Sequence, residues 1–168
     1  MTPAVLRAVL AGDHREAGRL LGIATPEDCQ IPRDAIKLRL SELEANPALQ
    51  PWLLKAISLR EQSLFVGHIG FHMEPGADYL AALSPGGVEF GLGVLEPWRQ
   101  QGIAVEASEA LMRWAREVHH VKRFVLCISP ENRPSLAVAA KLGFRQIGSH
   151  VDEWDGPEDI FEKCDEIG

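Results

Sequence analysis

Apolar residues in the first third of the chain recur at helical spacing. Leu6, Val9, Leu10, Ala17, Leu20 and Leu21 follow this rhythm, broken or capped at Gly12-Asp13 and stopped at Gly22. The short run 4–9 fits a helix and an edge strand equally, since periodicity cannot separate the two over so few residues. Pro32 opens a second amphipathic stretch, 33–45, with Ile36, Leu40 and Leu43 on one side and Pro47 beyond its end. After Pro51 the rhythm becomes β-like. Segments 52–59 and 64–73 read as strands separated by the polar cluster 60–63. A loop over 74–86, with Pro75, Gly76 and Pro85, leads to a third strand, 87–95. Segment 102–118 is helical, with Ile103, Ala107, Leu111, Trp114 and Val118 on one face and Glu109 four residues before Arg113 on the wet side. The continuously apolar 124–128 reads as a strand covered on both faces. A short helix, 134–142, is stopped by Gly143 with Phe144 folding back. Two final strand-like pieces, 145–151 and 160–163, flank the turn Asp155-Gly156-Pro157.

Strand, helix, strand from 87 to 128 predicts a right-handed parallel crossover, while the three earlier strands predict an antiparallel meander. The expected fold is α+β, with a mixed, mostly antiparallel central sheet, helices on both faces and one parallel β-α-β crossover. No internal repeat interrupts the 168 residues, so one domain over 1–168 is expected. A composition of 46% hydrophobic and 24% charged residues is that of a globular chain able to bury its own core. The formal net charge of −7 argues against a nucleic-acid partner, whose phosphates it would repel on balance. No apolar run has the length of a membrane span, and the first ten residues lack the basic-then-apolar order of a signal peptide. Cys29, Cys127 and Cys164 are odd in number and far apart. They match neither a disulfide framework nor a zinc spacing, which fits a reducing cytoplasm.

The chemistry concentrates in 88–107. A strand ends near Leu95, Pro97 forbids further ladder pairing, and a donor-rich loop feeds a helix at Gly102. Unpaired N–H groups and the positive end of the helix dipole make such a loop an anion site suited to a diphosphate. Arg99 adds charge, and Gly102 and Ala104 leave room for close approach. A helix-capping glycine explains Gly102 equally well. The chain lacks the G-x-x-x-x-G-K-[ST] of P-loop NTPases, and Glu96 stands where a dinucleotide G-x-G-x-x-G would place its third glycine.

Arg99-Gln100-Gln101-Gly102-Ile103-Ala104 resembles the Q/R-x-x-G-x-G/A signature of the GNAT superfamily of acetyl-CoA-dependent N-acetyltransferases. Glu106-Ala107, together with the N-x-x-S…K-L-G-F pattern of Asn132, Ser135, Lys141 and Phe144, is similar to the RimJ/RimL-like branch. The resemblance runs from about residue 64 to 151. It implies that acetyl-CoA is the co-substrate, its pyrophosphate on the backbone of Arg99, Gln100, Gln101, Gly102, Ile103 and Ala104. Its pantetheine arm would run beside Gly93, Val94 and Leu95, where the N–H of Val94 or Leu95 would hold the thioester oxygen. Asn132 would bind the cofactor arm through its amide, with a helix N-cap as the rival role.

An ammonium must lose a proton before it can attack, and a carboxylate serves as the base. Glu89, thirteen positions before Gly102, is the candidate. Period-2 alternation puts it on one face with Gly91 and Gly93, where two missing side chains would leave space for a ligand. A solvated edge glutamate or an ion pair is the plainer reading. Many relatives carry a tyrosine as acid where this chain has Ala139, so Ser135 or water is the candidate proton donor. His68 and His72 lie four apart on one strand face. His72 is the candidate for the acceptor groove, against a plain sheet histidine, and no third ligand at a familiar spacing points to a metal. His119-His120 complement a helix dipole, and Trp98 is a packing anchor. The implied reaction is acetyl transfer to a primary amine, a protein N-terminal α-amine or a small molecule, with a homodimer as the default assembly. The alternative is a non-catalytic acyl-CoA-binding regulatory module.

Overall fold

A computed structural model describes residues 1–76, 78–152 and 156–164. The chain forms two compact units. The first comprises Met1–Phe71 with Leu92–Ile103, and the second His72–Gly91 with Ala104–Gly168.

In the first unit, helices α1 (Pro3–Leu10), α2 (His14–Leu21) and α3 (Arg33–Ala45) precede strands β1 (Lys55–Leu59) and β2 (Leu64–Phe71). The ambiguous run at 4–9 resolves as helix. Thr2 caps it by accepting from the Val5 N–H, and Pro3 begins it where an N–H would have no intrahelical partner anyway. Asp13 accepts from the Glu16 N–H at 2.9 Å and starts α2, while Gly22 ends it in the left-handed conformation. Leu6, Ile36, Leu43, Leu53, Phe65 and Leu95 form the unit's core, with Trp98 packed against it. Burying each such side chain contributes about 1.5–3 kcal/mol, enough to fix a short helix that would be marginal alone. β1 begins at Lys55 rather than 52. Trp52 and Leu53 are buried, but in a turn where the Leu53 N–H donates to Leu49 O, so their apolarity reflects core and not strand.

In the second unit, helix α4 (Ile103–His119) precedes β4 (Arg123–Ile128), helix α5 (Arg133–Leu142), β5 (Arg145–Asp152) and β6 (Gly156–Cys164). Strand β3 (Val88–Val94) begins in this unit and ends in the first. The strand order is β1-β2-β3-β4-β6-β5. β1 with β2, β4 with β6, and β5 with β6 are antiparallel, and β3 with β4 is the parallel pair that the crossover predicts. The result is a mixed, mostly antiparallel six-stranded sheet with helices, as the sequence implies. Gly143 closes α5 in the left-handed conformation, and the Phe144 N–H returns to Ala139 O. Phe144 then packs edge-on against Phe90, ring centres 6.1 Å apart.

Two expectations change here. Ser108, Leu111, Met112 and Ala115 form the buried stripe of α4, while Val118 is 57% exposed. β6 is a nine-residue strand starting at Gly156, longer than the apolar 160–163. Asp155 of the expected turn lies outside the described residues. Among the described residues, no helix is long and apolar enough to cross a membrane.

Candidate active site

The expected anion loop lies in the first unit. Beyond β3, Leu95 begins a one-turn 3-10 helix, Glu96–Trp98, whose N–H groups at Trp98 and Arg99 return to Leu95 O and Glu96 O. Gln100 then has φ 61° and Gly102 φ 82°. Left-handed backbone at a non-glycine residue is unfavourable by about 1–2 kcal/mol and persists only where its surroundings impose it. Two bonds do so: Arg99 Nε donates to Val94 O at 2.9 Å and Gln101 Nε2 to Pro97 O at 3.1 Å. A side chain at Gly102 would meet no atom within 4 Å, so glycine is needed there for its φ and leaves the loop open on that side. Ile103 follows as the first residue of α4, with Ala104 behind it. Main-chain N–H groups turned by alternating backbone hands, immediately before a 17-residue helix, suit the pyrophosphate of a CoA ester.

The same segment narrows one expectation. The Leu95 N–H donates to Val66 O at 2.9 Å and is not available to a thioester oxygen. Val94 keeps that candidate role. Gly93 is not open space either: a Cβ there would come within 2.5 Å of the His68 ring. Gly67, facing it from β2, would place a Cβ 2.3 Å from Gly93 O, so the two strands meet backbone to backbone. Burial holds the His68 pKa below its ordinary value.

Glu89, His72, Asn132 and Ser135 belong to the second unit. Glu89 is buried, 8% exposed, near the start of β3. Its main-chain carbonyl accepts from the His72 N–H at 2.9 Å, and His72 Nδ1 lies 3.3 Å from Glu89 Oε1. Tyr79 and Cys127 hydrogen-bond the same carboxylate. Burial alone would raise the Glu89 pKa. The His72 hydrogen bond and charge, followed by the Cys127 and Tyr79 hydrogen bonds, outweigh it and hold the carboxyl below its ordinary value. A carboxylate offers about four lone-pair directions, so these three donors leave capacity for a further proton.

The expectation of empty space beside Glu89 is corrected, because His72 Nε2 would lie 3.1 Å from a Cβ on Gly91. Glycines at 91 and 93 make room for imidazoles carried by the protein itself. His72 is therefore a direct partner of the candidate base. Asn132 adopts its rival role as well: its Oδ1 accepts from the Ser135 N–H at 3.2 Å and caps α5, leaving its NH2 group to serve a ligand. Ala139 is 1% exposed and offers no proton donor. His119 ends α4 with its ring against Trp114, centres 4.8 Å apart.

Sequence reasoning did not single out Tyr79 or Cys127 as partners of Glu89. Tyr79 is the sole tyrosine of the chain and sits in a one-turn 3-10 helix held down by buried Leu80. Nothing local marks Cys127, which reaches Glu89 through the pairing of β4 with β3. A separate surface hollow in the first unit, lined by Gly12, His14, Arg19, Ile23, Thr25 and Ser63 among others, includes none of the predicted site residues.

Residues 4–145 match the family described as Acetyltransferase (GNAT) domain. YnaD of Bacillus subtilis (strain 168), described as an uncharacterized N-acetyltransferase, is 26% identical over 108 residues, 64% of this chain and 52% of YnaD. The match thus spans about half the length of that curated relative. Among solved structures, the ribosomal-protein-S5-alanine acetyltransferase of Vibrio fischeri superposes with a TM-score of 0.64 at 13% identity, over 99% of this chain and 91% of that one. The microcin C7 self-immunity acetyltransferase MccE, solved with acetyl-CoA and AMP, gives a TM-score of 0.63 at 14% identity, over 98% of this chain and 89% of that one. At these identities the likeness to both structures is one of fold.

Proposed function

The chain belongs to the GNAT acetyltransferase family, and from that premise we propose that it transfers an acetyl group from acetyl-CoA to a primary amine. The observation that carries the reading is the pair of left-handed residues, Gln100 and Gly102, immediately ahead of α4. The main chain of Arg99 to Ala104 holds the pyrophosphate, and the Val94 N–H stabilises charge at the thioester oxygen. When bound, acetyl-CoA supplies an activated acyl group.

Glu89 takes the proton that the ammonium acceptor must lose, directly or through one water. His72 positions the carboxylate. Ser135 or water returns a proton to the leaving thiolate. The acceptor class we favour is a protein N-terminal α-amine, supported by the Asn132, Ser135, Lys141 and Phe144 pattern and by the fold of the Vibrio fischeri ribosomal-protein acetyltransferase. Small-molecule amines are the competing acceptors. The odd number and wide spacing of Cys29, Cys127 and Cys164 in the sequence support a reducing cytoplasm as the working compartment.

Ala139 in place of an acid tyrosine favours a second reading, a non-catalytic acyl-CoA-binding module. Thermal shift with acetyl-CoA, with ATP and NAD as controls, tests the loop. A ligand at a hundredfold excess over Kd adds about 2.7 kcal/mol to the native state. Selective stabilisation by acetyl-CoA, followed by thiol release with peptide amines, supports the enzyme. Stabilisation without thiol release from any amine supports the binding module, and no stabilisation rejects both.

A further inference from the structure

Strands β4, β6 and β5 lie side by side in the second unit. Antiparallel registry sets Cys127 opposite Ile160 and His150 opposite Glu158. Glu158 and Ile160 are two apart on β6, so Cys127, Glu158 and His150 project from one face of three adjacent strands. Their ligand atoms, one thiol sulfur, one imidazole nitrogen and one carboxylate oxygen, all lie within 4.8 Å of one another. His150 Nε2 is 3.1 Å from Glu158 Oε2, a distance that a cross-strand ion pair would explain alone. The sulfur as third vertex is what such a pair does not explain.

We propose that Cys127, His150 and Glu158 form a binding site for a thiophilic divalent cation of the zinc class. Sulfur and imidazole select against magnesium and calcium, which take oxygen ligands. Zinc bonds of about 2.0–2.3 Å need neighbouring ligands roughly 3.5 Å apart, so the cluster closes by about 1 Å, within reach of side-chain rotation. Cys127 is held from below by packing on Leu80, Val125 and Ile160. The His150 side chain, 43% exposed, gives the ion a path from solvent. Three protein ligands leave the fourth tetrahedral position to water. On binding, the Cys127 S–H bond breaks, a sulfur–metal bond forms, and the proton leaves to solvent.

Cobalt titration of the full chain without acetyl-CoA tests the site. One equivalent of Co2+ is expected to give a thiolate-to-cobalt charge-transfer absorption that Zn2+ displaces. Cys127→Ser should abolish it, Cys164→Ser should leave it intact, and His150→Ala, at an exposed position that tolerates truncation, should weaken binding by roughly tenfold or more. Absence of the band in the wild type, its survival in Cys127→Ser, or unchanged affinity in His150→Ala overturns the site.

Discussion

Between Val94 and Gly102 the chain builds its candidate site from main-chain groups, whereas around Glu89 it uses side chains from three separate segments. The loop's geometry is local: Arg99 to Val94, Gln101 to Pro97, and two left-handed residues within three positions. The cluster's geometry is remote in sequence, because His72, Tyr79 and Cys127 meet Glu89 only after the strands have paired. Changing a side chain in the loop should therefore matter little unless it alters φ. Around Glu89, by contrast, single atoms of side chains decide the chemistry.

Glu89→Gln presses hardest on this contrast. It keeps the shape but exchanges one accepting oxygen for a donating NH2 and removes the proton acceptor, so kcat should fall by roughly 10^2–10^4 while acetyl-CoA affinity stays the same. Thiol-release kinetics and calorimetry read the two separately, and an unchanged kcat removes Glu89 from the chemistry. Gly93→Val comes next. Its Cβ would collide with the His68 ring, and overpacking of this kind lowers stability by about 1–3 kcal/mol in urea denaturation. No loss would show that the imidazole moves aside freely.

Gly102→Val acts on the loop alone. A left-handed backbone disfavoured by about 1–2 kcal/mol lets the free loop relax, and binding must restore it, so the Kd for acetyl-CoA should rise about tenfold. The sharpening control is Gln100→Ala, which keeps a non-glycine residue at its left-handed position and should leave the Kd nearly as it was.

The smallest expected effect is in pH. The Glu89 carboxyl is held below its ordinary value, so its contribution to stability is present above that ordinary value and lost as pH falls through the depressed one. His72→Ala removes the leading stabilising partner and raises the Glu89 pKa. The acid limb of kcat/KM should then move to higher pH, whereas a merely structural His72 would change amplitude and leave the limb in place.

The elements legible in the sequence are those whose signal is local. Segment 33–45 matches α3 because Pro32 and Pro47 bracket one amphipathic run. Gly143 is readable because a left-handed C-cap has a strong residue preference. The parallel pair follows from strand-helix-strand order and a rule of handedness. The boundaries that failed are those where apolarity had another cause. Trp52 and Leu53 are core without being strand, and 156–159 is strand without being apolar.

The candidate site divides in the same way. Gln100 and Gly102 were readable as a loop, and Glu89 as a carboxylate on a glycine-bearing face. That His68 and His72 fill this face could not be read, because alternation says where side chains point and not what the neighbouring strand brings to meet them. Cys127, His150 and Glu158 lie on three strands and come together only through registry.

The bond from Arg99 Nε to Val94 O also bears on the alphabet of the loop. The motif that position 99 resembles accepts glutamine or arginine, two residues that differ by a full charge. What they share is a planar N–H at the end of a flexible stem. If the position exists to tie the loop back to the strand it leaves, the two are synonyms there, and lysine, positively charged but without that planar group, is not.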